Sequence, residues 1–143
     1  MTGLPKILPT LFVHLKDPAS GERLFATRKT EVDGVEKTEQ VRIGVHVYTP
    51  GSKVYRTASN MNATENIKAG KKELSGAKLD EQQVALLART TFKLEGFEIE
   101  GSATPNVEAL KKWYDNEENV AYREQIADEQ ADLGKSSSTS NKG

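Results

Sequence analysis

Between Val41 and Tyr48 the sequence alternates without a break. Val41, Ile43, Val45 and Val47 fall on one side of an extended strand, with Arg42, Gly44, His46 and Tyr48 on the other. Four β-branched residues in strict alternation need a buried face, so some other layer must cover this strand. Thr49-Pro50-Gly51-Ser52 then ends it.

Upstream the pattern is also extended. Leu11, Val13 and Leu15 alternate with Phe12, His14 and Lys16, and Asp17-Pro18-Ala19-Ser20-Gly21 is turn chemistry before Arg23–Ala26. That order predicts a hairpin. Asp33-Gly34 makes a second tight turn, in a polar stretch read as a loop. Residues 1–10, with Pro5 and Pro9 and no periodicity, are read as a flexible lead-in.

Downstream of the strand the apolar spacing becomes helical. Ser52 caps a helix from Lys53 with Val54, Tyr55, Ala58 and Met61 as its stripe; Asn60, Asn62, Thr64, Asn66 and Gly70 predict a kink or fraying before Gly76. Asp80–Gln83 reads as a capping box ahead of Val84, Leu87, Ala88 and Thr91. Gly96 and Gly101 bracket a short link, Phe97–Ile99. Thr104 and Pro105 then open a helix with Val107, Leu110 and Tyr114 on one face. Asp115 and Glu118 form another capping box, followed by Tyr122, Ile126 and Leu133, with Gly134 as the stop. Residues 135–143, polar and serine-rich, form a disordered tail. The expected fold class is α+β: an N-terminal antiparallel β layer (a hairpin plus strand 41–48), then a C-terminal α-helical region. One domain spans 11–134, β-rich over 11–50 and helical over 52–134.

Composition narrows the chemistry. The 143 residues include no cysteine and two histidines, His14 and His46, so thiol catalysis, disulfides and cysteine-bound zinc are excluded. No apolar run approaches a membrane span, and no signal segment follows Met1, which predicts a soluble intracellular protein. The net charge of −1 conceals a basic middle and an acidic C-terminal half, with twelve acidic against five basic residues over 81–134. An acidic half of that weight argues against nucleic acid as a partner.

The individual constellations are weak. Glu95, Glu98 and Glu100, Glu117 and Glu118, and Glu124, Asp128 and Glu129 are clusters without a nearby histidine, which reads as solvated surface rather than acid–base catalysis. His14 and His46 read as ordinary strand-surface positions, without a third ligand in sight. Gly134-Lys135-Ser136 lacks the first glycine and the preceding strand of a phosphate loop. Lys68, Lys71, Lys72 and Lys78 have no interleaved aromatics, unlike a base-stacking site. No catalytic, cofactor-binding or metal-binding residue is therefore assigned. The acidic half, with Trp113, Tyr114 and Tyr122 among its carboxylates, instead reads as a partner surface. Trp113, Tyr114, Tyr122, Glu124, Asp128 and Glu129 are its candidate residues: aromatic anchors in a negative field.

The order of segments is more informative. Strands lead into Val47-Tyr48-Thr49-Pro50-Gly51-Ser52-Lys53-Val54-Tyr55, then a lysine-rich helix and a helix with Phe92 and Leu94. Gly96-Phe97-Glu98-Ile99-Glu100-Gly101, Trp113-Tyr114-Asp115 and Tyr122-Arg123-Glu124-Gln125-Ile126 follow. This arrangement resembles the tail assembly chaperones of long-tailed, siphovirus-like bacteriophages, over roughly residues 11–134. The resemblance implies a non-enzymatic protein of the host cytoplasm. Such a protein coats the tape-measure protein, keeps it soluble, brings tail-tube protein to it, and is absent from the finished virion. It also leaves a frameshifted longer form of the chain and a homo-oligomer as further partners. The alternative reading is a structural virion protein of the tail or head–tail junction; a small hydrolase using the carboxylate clusters is a third.

Overall fold

The computed structural model describes residues 9–68 and 76–139, apart from the side chains of Lys68 and residues 133–139. In chain order the strands β1 (Thr10–His14), β2 (Phe25–Val32), β3 (Val35–Arg42) and β4 (Gly44–Tyr48) precede the helices α1 (Lys53–Lys68) and α2 (Gly76–Thr90). A fifth strand, β5 (Thr91–Glu95), leads to α3 (Val107–Asp115), a 3-10 turn (Glu117–Asn119) and α4 (Val120–Thr139). The fold is α+β. Its main sheet has the antiparallel order β1-β4-β5, and β2 and β3 form a separate two-stranded sheet.

The alternating stretch over 41–48 is built as two strands rather than one. β3 ends at Arg42, Ile43 bridges to Leu15 and Leu24 through backbone hydrogen bonds, and β4 starts at Gly44. Gly44 explains the break. A Cβ there would sit 2.2 Å from the Val13 carbonyl oxygen and 2.6 Å from the Phe12 ring, so only glycine lets the two backbones cross this closely. Val45 and Val47 keep the predicted buried face, while Val41 and Ile43 are half-buried.

The hairpin prediction is half met. Asp17 turns the chain and Lys16 bridges to Arg23, but β1 itself pairs with β4. The polar stretch read as a loop is instead a regular arm, β2 against β3 from Phe25↔Arg42 to Val32↔Val35. Asp33 and Gly34, both at positive φ, make its two-residue turn. Propensity accounts for the miss: Thr, Val and Phe outnumber the breakers, although neither face is buried.

One core cluster lies between the main sheet and the helices. Val13, Leu15, Val45, Val47 and Leu94 face Val84, Leu87, Ala88, Leu110, Tyr114 and Ile126. The region after residue 52 is not wholly helical, because β5 pairs with β4. A register shift between His46 and Val47 places the buried Thr91 and Leu94 three residues apart, a spacing that continues the helical stripe of Val84, Leu87 and Ala88.

Helix boundaries shift in four places. Ser52 caps α1 as expected, its Oγ accepting from Tyr55 N at 3.1 Å. α1 runs unbroken to Lys68, and the predicted fraying at Gly70 lies outside the described residues. Its asparagines have a use. Asn62 donates to the Gln82 carbonyl at 3.2 Å, and Asn66 accepts from the Gln82 side chain, stitching α1 to α2. α2 begins at Gly76, so Asp80 is not a cap. It sits inside the helix and pairs with Arg123 of α4, a residue only 6% exposed. Asn106, rather than Thr104, caps α3, and Asn116, rather than Asp115, caps the 3-10 turn. In both places the asparagine side chain satisfies an orphan N–H that the predicted cap would have left open. α4 continues past Gly134 to Thr139, a helical glycine costing about 1 kcal/mol without ending the helix. The lead-in over 1–8 and residues 140–143 lie outside the described residues, and Thr10, assigned to that lead-in, belongs to β1.

Candidate interaction surface

Strand alternation positions the most distinctive surface. With Val13, Val45, Val47 and Leu94 turned into the core, Phe12, His14, His46 and Tyr48 must point to the opposite side of the sheet. The register shift in β5 brings Phe92 to the same side, and Phe25 joins from the base of the arm. These rings pack on one another in a continuous row. Phe25 meets His14 edge-on at 4.9 Å, His14 lies 5.9 Å from Phe12, and Phe12 lies 4.8 Å from His46. His46 then lies 5.8 Å from Phe92, which lies 4.7 Å from Tyr48. The Arg42 guanidinium sits 4.0 Å above the Phe12 ring. Phe25 and Phe92 remain 48% and 36% exposed, so the row presents apolar area to solvent at its Phe25 end and again at Phe92.

A carboxylate anchors the middle of this face. Glu95 accepts from Arg42 Nε at 2.9 Å and from His46 Nε2 at 3.0 Å. Burial alone would push its carboxyl up, but the hydrogen bonds and charges of His46 and Arg42 outweigh that and hold it below the usual carboxylate range. At the other end His14 Nε2 donates to the Leu24 carbonyl at 2.8 Å. Both imidazoles are therefore engaged in positioning rings. Among the described residues no three His, Asp or Glu side chains are grouped as metal ligands. The face can clamp apolar and aromatic groups, and it offers Arg42 and Lys93 as polar handles at its rim.

The partner surface expected on the acidic half is built differently. Tyr114 is fully buried, its hydroxyl 2.6 Å from Thr91 Oγ1, so it cannot meet a partner; burial pushes its phenol well up. Trp113 is half-buried, tilted against Phe97 at 5.7 Å and edge-on to Tyr114 at 5.2 Å. Tyr122 packs partly against the core. Glu124, Asp128 and Glu129 are exposed on α4. No ring contact or ion pair among the described residues joins Trp113 to these three acids. Nor is the field there uniformly negative. Partial burial pushes the Glu129 carboxyl up while the cations of Lys16 and Arg23 pull against it. The same stretch of α4 holds the sheet. Gln125 exchanges two 2.8 Å hydrogen bonds with the Lys16 backbone, and Gln130 donates to the Tyr48 carbonyl at 2.8 Å. Of the segment Tyr122–Ile126, Arg123 and Ile126 are buried.

Sequence reasoning missed the ring row because its members lie on four strands, from Phe12 to Phe92. The alternation of Phe12 and His14 with Leu11, Val13 and Leu15 was a usable signal; the place of Phe92 depended on recognising β5. Glu95 was read as lacking a nearby histidine, yet antiparallel pairing carries His46 to it across 49 positions. Among the described residues no helix is long and apolar enough to cross a membrane. No protein-family model matches the chain, and neither the curated proteins nor the solved structures yield a match.

Proposed function

We propose that this chain is a non-enzymatic assembly chaperone of a bacteriophage tail, one that binds the tape-measure protein, keeps it soluble and recruits tail-tube subunits in the host cytoplasm. The observation that carries this reading is the ring row on the outer side of the main sheet. Aromatic side chains supply large, rigid contact area at low entropic cost, and Arg42, Lys93 and Glu95 add polar contacts for an amphipathic client. The resemblance in segment order supports the same reading. The test is co-expression with a tape-measure segment. Wild type holds that segment in the supernatant; the double substitution Phe12→Ser and Phe92→Ser releases it to the pellet while circular dichroism of the chaperone is unchanged. Charge reversal at Glu124, Asp128 and Glu129 has the smaller effect. Equal aggregation of the segment with and without this chain overturns the proposal.

The second reading, a structural virion protein of the tail or head–tail junction, is favoured by one observation. The arm of β2 and β3 is exposed on both faces, the form of an element that pairs with a neighbouring subunit. Purified virions separate the two readings, because a structural subunit remains in them and a chaperone does not.

A further inference from the structure

The outer edge of β3 is open. β2 and β3 form a two-stranded sheet, and among the described residues no other strand pairs with either. Which backbone groups point off that edge follows from the turn. Asp33-Gly34 is a two-residue turn, so its flanking pair Val32↔Val35 exchanges both hydrogen bonds, and every second pair after it does the same: Thr30↔Lys37, Arg28↔Glu39 and Ala26↔Val41. The same alternation reaches the base of the arm, where Ile43 N donates to the Leu24 carbonyl at 3.0 Å. The N–H and C=O groups of Glu36, Thr38, Gln40 and Arg42 therefore point away from β2. Arg42 is covered, since Gly96 lies so close to its carbonyl that a Cβ there would collide with it. The open edge runs from Val35 to Val41, exposed as far as Gln40, with Thr38 at its centre.

Charged edges commonly resist pairing. On this edge the signs are arranged to suit a two-fold axis. Laid antiparallel on a copy of itself about Thr38, it sets Lys37 against Glu39 on both sides of the axis, and Glu36 against the neutral Gln40. Glu39, which already accepts from Arg28 Nε at 2.8 Å, then lies between two cations. Val35 meets Val41, so the exposed tip valines, Val32 and Val35, extend in a row onto the apolar base of the other arm. The backbone agrees with this register. Glu36, Thr38 and Gln40 each meet a residue that also points outward, so every such pair exchanges both its hydrogen bonds. Centring the pairing on Lys37 or Glu39 instead sets like charge on like. The β2 edge offers no such match, because pairing it about its middle opposes Arg28 to Arg28 or Lys29 to Lys29. With four cations and four carboxylates over residues 25–42, two arms carry no net repulsion.

We infer that the outer edge of β3 pairs antiparallel with the same edge of a second copy of this chain, about a two-fold axis at Thr38. The product is a four-stranded sheet in the order β2-β3-β3-β2, which removes the weakness of an isolated two-stranded hairpin. The inference takes up the arm on which the structural reading draws and adds its occupant, edge and register. Virion content tests that reading whatever the arm pairs with, so the two can fail separately.

Sedimentation velocity of the full chain from about 5 to 500 μM is expected to show a monomer passing to a dimer with a Kd of about 100 μM, weak because the interface is small. Lys37→Glu and Glu39→Lys each raise that Kd about ten-fold or more, by setting like charges across the axis. An equimolar mixture of the two variants restores the dimer, because their altered charges complement one another in this register alone. Circular dichroism of each variant matches wild type, since the arm lies outside the core. The chain has no cysteine, so Thr38→Cys introduces a single thiol at the axis. Oxidation is expected to link two copies through it about ten-fold faster than through Thr27→Cys, which points off the β2 edge. A wild-type chain that stays monomeric to the highest concentration overturns the inference, as does a dimer indifferent to Lys37→Glu. A mixture that stays monomeric, or faster linkage through Thr27→Cys, overturns the register and edge. Arm amides that slow only when a tape-measure segment is added, without dimerisation, make that client the occupant and overturn it too.

Discussion

Glu95 is the residue on which the ring face turns. Two donors from different strands converge on it, so its carboxylate fixes the rings of His46 and, through Arg42, of Phe12. Its pKa is held below the ordinary carboxylate value, so its ionised form contributes stability that is fully present above the unfolded pKa and lost as pH falls through the folded one. Glu95→Gln is expected to lower stability at neutral pH by about 1 kcal/mol, the site being partly exposed. The gap between variant and wild type should close as pH falls below about 4. Melting temperatures across that range check this; a gap that persists in acid would show that the loss is one of packing. At this scale the sequence was only partly legible. Leu110 and Tyr114 were placed on one face and are buried together. The charge pattern around Tyr114 was nevertheless taken as a surface signal, because linear charge density does not report which way a ring points.

At the scale of elements, patterns tied to one local period were legible, and those created by pairing were not. Ser52 and α1, the buried face of Val45 and Val47, and the Asp33-Gly34 turn each follow from a few adjacent residues. β5 does not. Its inward residues are three apart because of a register shift that exists only opposite β4. The break at Gly44 is likewise a tertiary fact, set by Val13 and Phe12. Gly44→Ala is therefore expected to destabilise the fold by about 2–3 kcal/mol, since backbone at 2.2 Å cannot yield as a side chain can. Denaturant unfolding measures this. A variant as stable as wild type would mean that β1 and β4 separate at little cost, and that the ring row is not rigidly held.

At the scale of the whole molecule, the chain divides its stability unevenly, and the division offers a way to distinguish its possible partners. The core joins the main sheet to the helices, whereas the arm of β2 and β3 makes its contacts almost entirely within itself. An isolated two-stranded hairpin is marginal in water. This one also sets Glu31 directly opposite Glu36 and leaves Val32 and Val35 48% and 58% exposed at its tip. Cross-strand pairs of Arg28 with Glu39 and Lys29 with Glu36 offset little, being exposed. Amides of β2 and β3 should therefore exchange with solvent far faster than those of β4, by local opening rather than global unfolding. Replacing residues 27–40 with a two-residue Asn-Gly turn should leave the melting temperature close to wild type. Hydrogen exchange repeated with a tape-measure segment then assigns the contact. Slowed exchange in β1, β4 and β5 places the client on the ring face, as the chaperone reading requires. Slowed exchange confined to the arm in concentrated samples of the chain alone instead marks subunit pairing and favours the structural reading. An arm as protected as β4 in the dilute free chain would defeat the argument that it awaits a partner.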